Sequence, residues 1–211
     1  MYEIDRQTRE WLGERYWRED EALVAAREAF AEVGPLIEVP NDTGAALATL
    51  IQLAGARRVI EVGTLFGYSA TWMARALPAD GHLDTLELED AHADAAEALF
   101  ERAGVSDRIS VHRGPALETL QSLDGPWDLA FIDADKGGYV EYARQLIPKL
   151  RPGGAIIADN VAAASEIGKP DVHNDHVDSL RAYHAFLADE PRLRSNVLPI
   201  GDGLAVSIVV G

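Results

Sequence analysis

From Arg58 onward, short apolar runs alternate with stretches of helical periodicity. The runs cover residues 59–62, 83–88, 109–111, 129–132 and 155–158, each the length of a strand buried on both faces. Between them apolar residues return every three or four positions. Ala96, Leu99, Phe100 and Ala103 share one helix face, and Tyr139, Tyr142, Ala143, Leu146, Ile147 and Leu150 share another. Five strands separated by helices imply a parallel sheet. Pro148 falls in the last turn of the second helix and is expected to bend it, and Arg151-Pro152-Gly153-Gly154 then returns the chain to the sheet. Residues 197–200, a Gly201-Asp202-Gly203 turn and residues 204–210 read as a closing hairpin. The pattern predicts an α/β fold: a single-domain, Rossmann-like, doubly wound sheet of seven strands, mostly parallel with a C-terminal antiparallel hairpin.

Ahead of this core, residues 3–33 are helix-like and charged, with Trp11, Tyr16 and Trp17 interspersed among acids. They predict either a surface helix with a core-facing stripe or a lid over a partner or substrate. Residues 34–44 are punctuated by turn formers and read as a connector, after which 45–53 resume a helical pattern. The division is one domain over 1–211, with a helical extension over 1–35 and the Rossmann-like core over 36–211.

Composition narrows the chemistry. There are no cysteines, which excludes disulfides, thiolate zinc sites and cysteine nucleophiles. A net charge of -16, from 35 acidic and 19 basic residues without a basic cluster, disfavours nucleic acid as a partner. No stretch approaches the roughly 18 consecutive apolar residues of a membrane span, and no signal-peptide pattern follows Met1. The expectation is a cytoplasmic enzyme acting on a small molecule.

In open α/β sheets ligands sit beyond the carboxyl ends of the strands, where the strand order reverses. The first strand leads into Glu61-Val62-Gly63-Thr64-Leu65-Phe66-Gly67-Tyr68-Ser69, with Ser69 opening the next helix. Gly63 and Gly67 allow a tight turn and close approach of a ligand. A nicotinamide dinucleotide site requires glycine where Leu65 stands, and Glu61 at the strand tip repels a pyrophosphate. Glu61 suits instead a cationic amino group such as that of S-adenosylmethionine, and Glu87, ending the next strand, suits the two hydroxyls of a ribose.

The fourth and fifth runs end in Phe131-Ile132-Asp133-Ala134-Asp135-Lys136 and Ile157-Ala158-Asp159-Asn160. Neighbouring strand tips lie about 5 Å apart, so Asp133, Asp159 and Asn160 offer three oxygen donors to one ion. That set suits magnesium above all, with calcium or manganese as alternatives, rather than zinc. A phenol with a pKa of about 10 needs roughly 4 kcal/mol to ionise at neutral pH, which a divalent cation can supply. Lys136 is then placed to take the proton if the cation lowers its own pKa. A catechol fits best, because two adjacent oxygens chelate the ion. His173 and His176 form a rival metal pair, three positions apart in a polar stretch and more simply read as solvent-exposed.

These segments resemble the cation-dependent class I O-methyltransferases related to caffeoyl-CoA and catechol O-methyltransferases, from about residue 39 to 210. Besides the two acidic motifs and the glycine turn, the resemblance rests on Leu150-Arg151-Pro152-Gly153-Gly154, Asp159-Asn160-Val161 and Leu198-Pro199-Ile200-Gly201-Asp202-Gly203. It implies cofactor contacts at Val39, Glu61, Gly63, Thr64, Ser69, Glu87 and Ala116, with Asp133 touching both S-adenosylmethionine and metal. It also implies metal ligation by Asp133, Asp159 and Asn160, a catalytic Lys136, and a homodimer. The chain departs from the pattern at Ala162-Ala163-Ala164-Ser165, where many relatives carry Trp and Asn or Gly. That points to a remodelled acceptor pocket. No basic cluster is available for a coenzyme A phosphate. The competing readings are a metal-independent methyltransferase, a nicotinamide-dependent oxidoreductase and a non-catalytic nucleoside-binding module.

Overall fold

The computed structural model describes residues 5–33 and 39–210, without the side chains of 29–33. The end of the predicted helical extension and the first part of the connector, residues 34–38, lie outside the described residues. The elements run α1 (Arg6–Tyr16), α2 (Glu21–Val33), α3 (Asn41–Ala54), β1 (Arg58–Val62), α4 (Tyr68–Ala76), β2 (His82–Glu87), α5 (Asp90–Ala103), β3 (Ile109–Arg113), α6 (Ala116–Ser122), β4 (Trp127–Ile132), α7 (Tyr139–Leu146), β5 (Leu150–Ala158), α8 (Asp175–Asp189), β6 (Leu193–Leu198) and β7 (Leu204–Val209). One seven-stranded sheet has the order β3-β2-β1-β4-β5-β7-β6. β1 to β5 pair in parallel, and β7 is antiparallel to both β5 and β6. The predicted sheet and hairpin are therefore present, with the order reversing between β1 and β4.

Alternation along the strands builds two cores. Ile60, Ala130, Ile132, Ile156 and Ala158 pack under α6, α7 and α8. Val59, Leu129, Phe131 and Ile157 pack under α2 to α5. Glu61, Asp133 and Asp159 continue the second series, so all three acids belong to one face of the sheet at its carboxyl edge.

Several boundaries differ from the sequence reading. The described part of that stretch, residues 5–33, forms two helices, because the Asp20 side chain accepts from the Leu23 amide at 3.1 Å and caps a new helix. α2 has the core-facing stripe, burying Ala22, Leu23 and Ala26, whereas α1 buries nothing and leaves Trp11 and Tyr16 exposed. Pro148 does not bend α7: the helix ends at Leu146 and tightens into a 3-10 turn over Ile147–Lys149. β6 begins at Leu193 instead of Val197, with four consecutive exposed residues from Arg194 to Val197, since an edge strand needs little apolar pattern to pair.

Candidate active site

β1 and β4 are held side by side through their last residues, the Asp133 amide donating to the Val62 carbonyl at 2.9 Å. Gly63 follows with φ +99°, and a Cβ there would overlap the Asp133 carbonyl oxygen. Its glycine is required by the neighbouring strand more than by a ligand. Gly67, φ +87°, opens α4 where a side chain would enter the Phe100 ring. Between them Leu65 takes a left-handed φ of 49°, unfavourable for a leucine, and its amide donates to Glu87 Oε2 at 2.7 Å. The Glu89 amide donates to Oε1 of the same carboxylate at 3.0 Å. Glu87 is thus held by backbone donors on both oxygens before any ligand arrives.

A cleft of about 890 Å³ opens over these strand ends. Of the residues singled out in the sequence, Val39, Gly63, Thr64, Ser69, Glu87 and Ala116 line it, together with Asp133, Lys136 and Asn160. Gly67, Glu61 and Asp159 stand behind its wall.

Glu61 is fully buried, its carboxylate receiving the Ser69 hydroxyl at 2.5 Å and the Thr85 hydroxyl at 2.6 Å. Thr64 and Thr85 hydroxyls meet at 2.6 Å. Burial pushes the Glu61 carboxyl up to about 8, against the two hydroxyl donors that favour its charge, with Asp133 and Glu87 adding repulsion. Glu61 therefore orients Ser69 and Thr64 toward the cleft instead of facing it.

Lys136 Nζ sits among three oxygens: Asp133 Oδ1 at 2.9 Å, Asn160 Oδ1 at 3.0 Å and the Tyr139 hydroxyl at 2.7 Å. Asp159 Oδ1 accepts from the Asn160 amide at 2.7 Å, while its buried Oδ2 has no partner. Burial, then Asp133, push the Asp159 carboxyl up to about 7. One carboxylate, one amide and one phenol thus converge on the ammonium, and Asp159, adjacent to Asn160 in the chain, adds a second carboxylate with an unpaired oxygen. This donor set fits a hard cation. No group of three or more His, Cys, Asp or Glu side chains that could hold a metal occurs among the described residues. His173 lies before the α8 N-cap and meets Asp178 at 3.1 Å, while His176 is exposed in the first turn of α8, so the rival pair shares no helix face.

The sequence reading missed part of the wall. His92 lies 3.4 Å from Glu87 Oε1 and edge-on to Phe66 at 4.9 Å. Its spacing five residues after Glu87, in the first turn of α5, was the available signal. Tyr142 also lines the cleft, although its helical period marks it as core.

A strand order reversing between β1 and β4, a glycine turn after β1 and an acid closing β2 define a nucleoside-binding transferase of the class I methyltransferase type. A sequence model of the O-methyltransferase family matches residues 17–209. The chain is 39% identical over 201 residues to a catechol O-methyltransferase of Niastella koreensis, covering 90% of this chain and 91% of that one. It is also 39% identical over 199 residues to a catechol O-methyltransferase of Mycobacterium tuberculosis, covering 90% of each. Among solved structures, the O-methyltransferase TomG of Streptomyces achromogenes, involved in tomaymycin synthesis and crystallised with S-adenosylmethionine, superposes with a TM-score of 0.92 at 34% identity over 100% of both chains. An O-methyltransferase of Bacillus cereus in complex with S-adenosylhomocysteine gives 0.88 at 33% identity, covering 95% of this chain and 96% of that one. The chain belongs to the O-methyltransferase family. No helix among the described residues is long and apolar enough to cross a membrane.

Proposed function

We propose that this O-methyltransferase moves the methyl group of S-adenosylmethionine to a phenolic hydroxyl of a small catechol-like acceptor, with a divalent cation at the site. S-adenosylmethionine supplies an electrophilic methyl carbon, and the cation, most simply magnesium, supplies charge that stabilises an oxyanion. Asp133, Asp159 and Asn160 would hold the cation, and Asp133 borders the cofactor cleft as well. Glu87 binds the ribose hydroxyls and Ala116, at the start of α6, borders the adenine. Ser69 and Thr64, oriented by the buried Glu61 network, serve the amino-acid end. Lys136 acts as the base in its neutral amine form, the Nζ lone pair taking the proton of the acceptor hydroxyl, so the attacking oxygen is charged when it reaches the methyl carbon.

The observation that carries this reading is the convergence of Asp133, Asn160 and Lys136 at the cleft beside the unpaired Asp159 Oδ2. Support for a small acceptor comes from the wall itself: Lys136 is the sole lysine or arginine lining the described cleft, which leaves nothing to hold a coenzyme A phosphate. One observation favours a metal-independent variant of the same transfer, since the Lys136 ammonium by itself neutralises Asp133 and bonds to Asn160.

Incubation with labelled S-adenosylmethionine and a panel of vicinal diphenols, with magnesium or with a chelator, tests both. Transfer is expected only with the metal, and methylation surviving complete metal removal sinks the cation-dependent form. The homodimer implied by the resemblance is expected to show as twice the chain mass in light scattering.

A further inference from the structure

The geometry points to Tyr139 as a positioning residue for the transfer, fixing the place of Lys136 Nζ against the end of β5. The inference rests on the reading of Lys136 as the group that takes the acceptor's proton. An ammonium has three N–H donors. In the ammonium form they go to Asp133, Asn160 and the Tyr139 hydroxyl, and the Tyr139 contact, at 2.7 Å, is the shortest; the neutral amine that takes the acceptor's proton gives up a donor on the cleft side and keeps the one to Tyr139. The Tyr139 hydroxyl has one proton, which it donates to the main-chain carbonyl of Asp159 at 3.0 Å. It therefore accepts from Lys136 and ties the lysine to the backbone that carries Asp159 and Asn160.

The ring is as constrained as the hydroxyl. Tyr139 is fully buried and packs edge-on against Tyr183, centroids 5.3 Å apart, and Lys136 Nζ lies 4.9 Å from its centroid. Lysine has four rotatable side-chain bonds and no directional fork. Asp133 and Asn160 anchor Nζ from the cleft side, where ligands compete for the same oxygens. Tyr139 lies behind the cleft wall and anchors it from within the protein. Loss of that anchor leaves Nζ free to drift by an ångström or so, enough to cost one to two orders of magnitude in rate.

Tyr183 provides the internal control. It is equally buried and packs on the same ring, but its hydroxyl has no hydrogen-bond partner. Steady-state kinetics with a vicinal diphenol, S-adenosylhomocysteine affinity by calorimetry, and thermal unfolding should be measured for Tyr139→Phe, Tyr183→Phe and Lys136→Met. For Tyr139→Phe we expect kcat to fall about ten-fold or more, with unchanged KM for the diphenol and unchanged S-adenosylhomocysteine affinity. Tyr183→Phe is expected to keep wild-type kcat. If Tyr139→Phe keeps wild-type kcat while Lys136→Met is inactive, the positioning role is overturned and the functional reading stands. Equal losses of kcat and melting temperature in both tyrosine variants also overturn it, as a packing effect. A fully active Lys136→Met, or a wild-type enzyme that methylates no diphenol, overturns the functional reading and the inference with it.

Discussion

At Gly63 there is no room for a methyl group. The φ of +99° and the Asp133 carbonyl against the missing side chain act together, and both strain terms apply to any substitution. Gly63→Ala is expected to destabilise the protein by about 3 kcal/mol or more, read by urea unfolding, and to abolish binding of S-adenosylhomocysteine. Glu61 makes a different prediction. Its folded-state pKa, about 8, is raised above the ordinary value of 4.5, mainly by burial, so the folded protein holds its proton more tightly than the unfolded chain. The corresponding stability is fully present below about pH 4.5 and is lost as pH rises through about 8. Asp159, raised from 3.8 to about 7, acts in the same direction. The unliganded protein should therefore melt lower at pH 8.5 than at pH 5.5, and Glu61→Gln, which stays neutral, should flatten that slope. An equal slope in the variant would remove Glu61 as its cause. The residue types at these positions were legible in the sequence. The reason for Gly63 was not, because the atom that excludes a side chain there comes from a strand some seventy positions later.

Among the elements, the segment after Asn160 is the most unusual. Asn160, Ala163, Ala164 and Ser165 all have positive φ, between 50° and 64°, a conformation that costs non-glycine residues roughly 1 kcal/mol or more apiece. The turn is held because the Ala164 amide donates to both Asp202 carboxylate oxygens, at 2.9 and 2.8 Å, and because His184 on α8 lies 2.8 Å from the Val161 carbonyl. Asp202 itself sits in the β6–β7 turn, whose hairpin the sequence announced. Asp202→Ala should cost about 1 to 2 kcal/mol in urea unfolding and raise the KM for the diphenol, since the released turn carries Asn160. A KM equal to wild type would separate the turn from acceptor binding. The run Ala162-Ala163-Ala164-Ser165 shows a departure from the family pattern, but three alanines and a serine contain no local signal for left-handed backbone. That conformation comes from a carboxylate 38 residues away in sequence.

At the scale of the whole molecule, α1 and α2 differ in how far they belong to the core. α2 inserts Leu23 into the packing with α4 and α5. The α1–α2 junction is tied to the glycine-turn helix by the Tyr68 hydroxyl on Glu19 at 2.8 Å and by Arg75 on Asp20 at 2.5 Å. Leu23→Ala should therefore cost about 3 kcal/mol. Trp11→Ala, at a side chain 50% exposed and covered by the Arg15 guanidinium, should stay within about 0.5 kcal/mol. Thermal or urea unfolding measures both, and a large loss at Trp11 would show that α1 buries more than its contacts indicate.

The sequence by itself determined the strand and helix alternation, the closing hairpin and the acids at the ends of β1, β2, β4 and β5. Each is a local matter of periodicity, turn chemistry and residue type. Only the tertiary structure decided that Glu61 turns inward to hydroxyls while Glu87 borders the cleft, that His92 joins the wall, and that a tyrosine on a helix's core face reaches the lysine three residues before it. Those outcomes depend on which side chains from distant segments compete for the same few ångströms. Such competition exists only once the strands lie side by side.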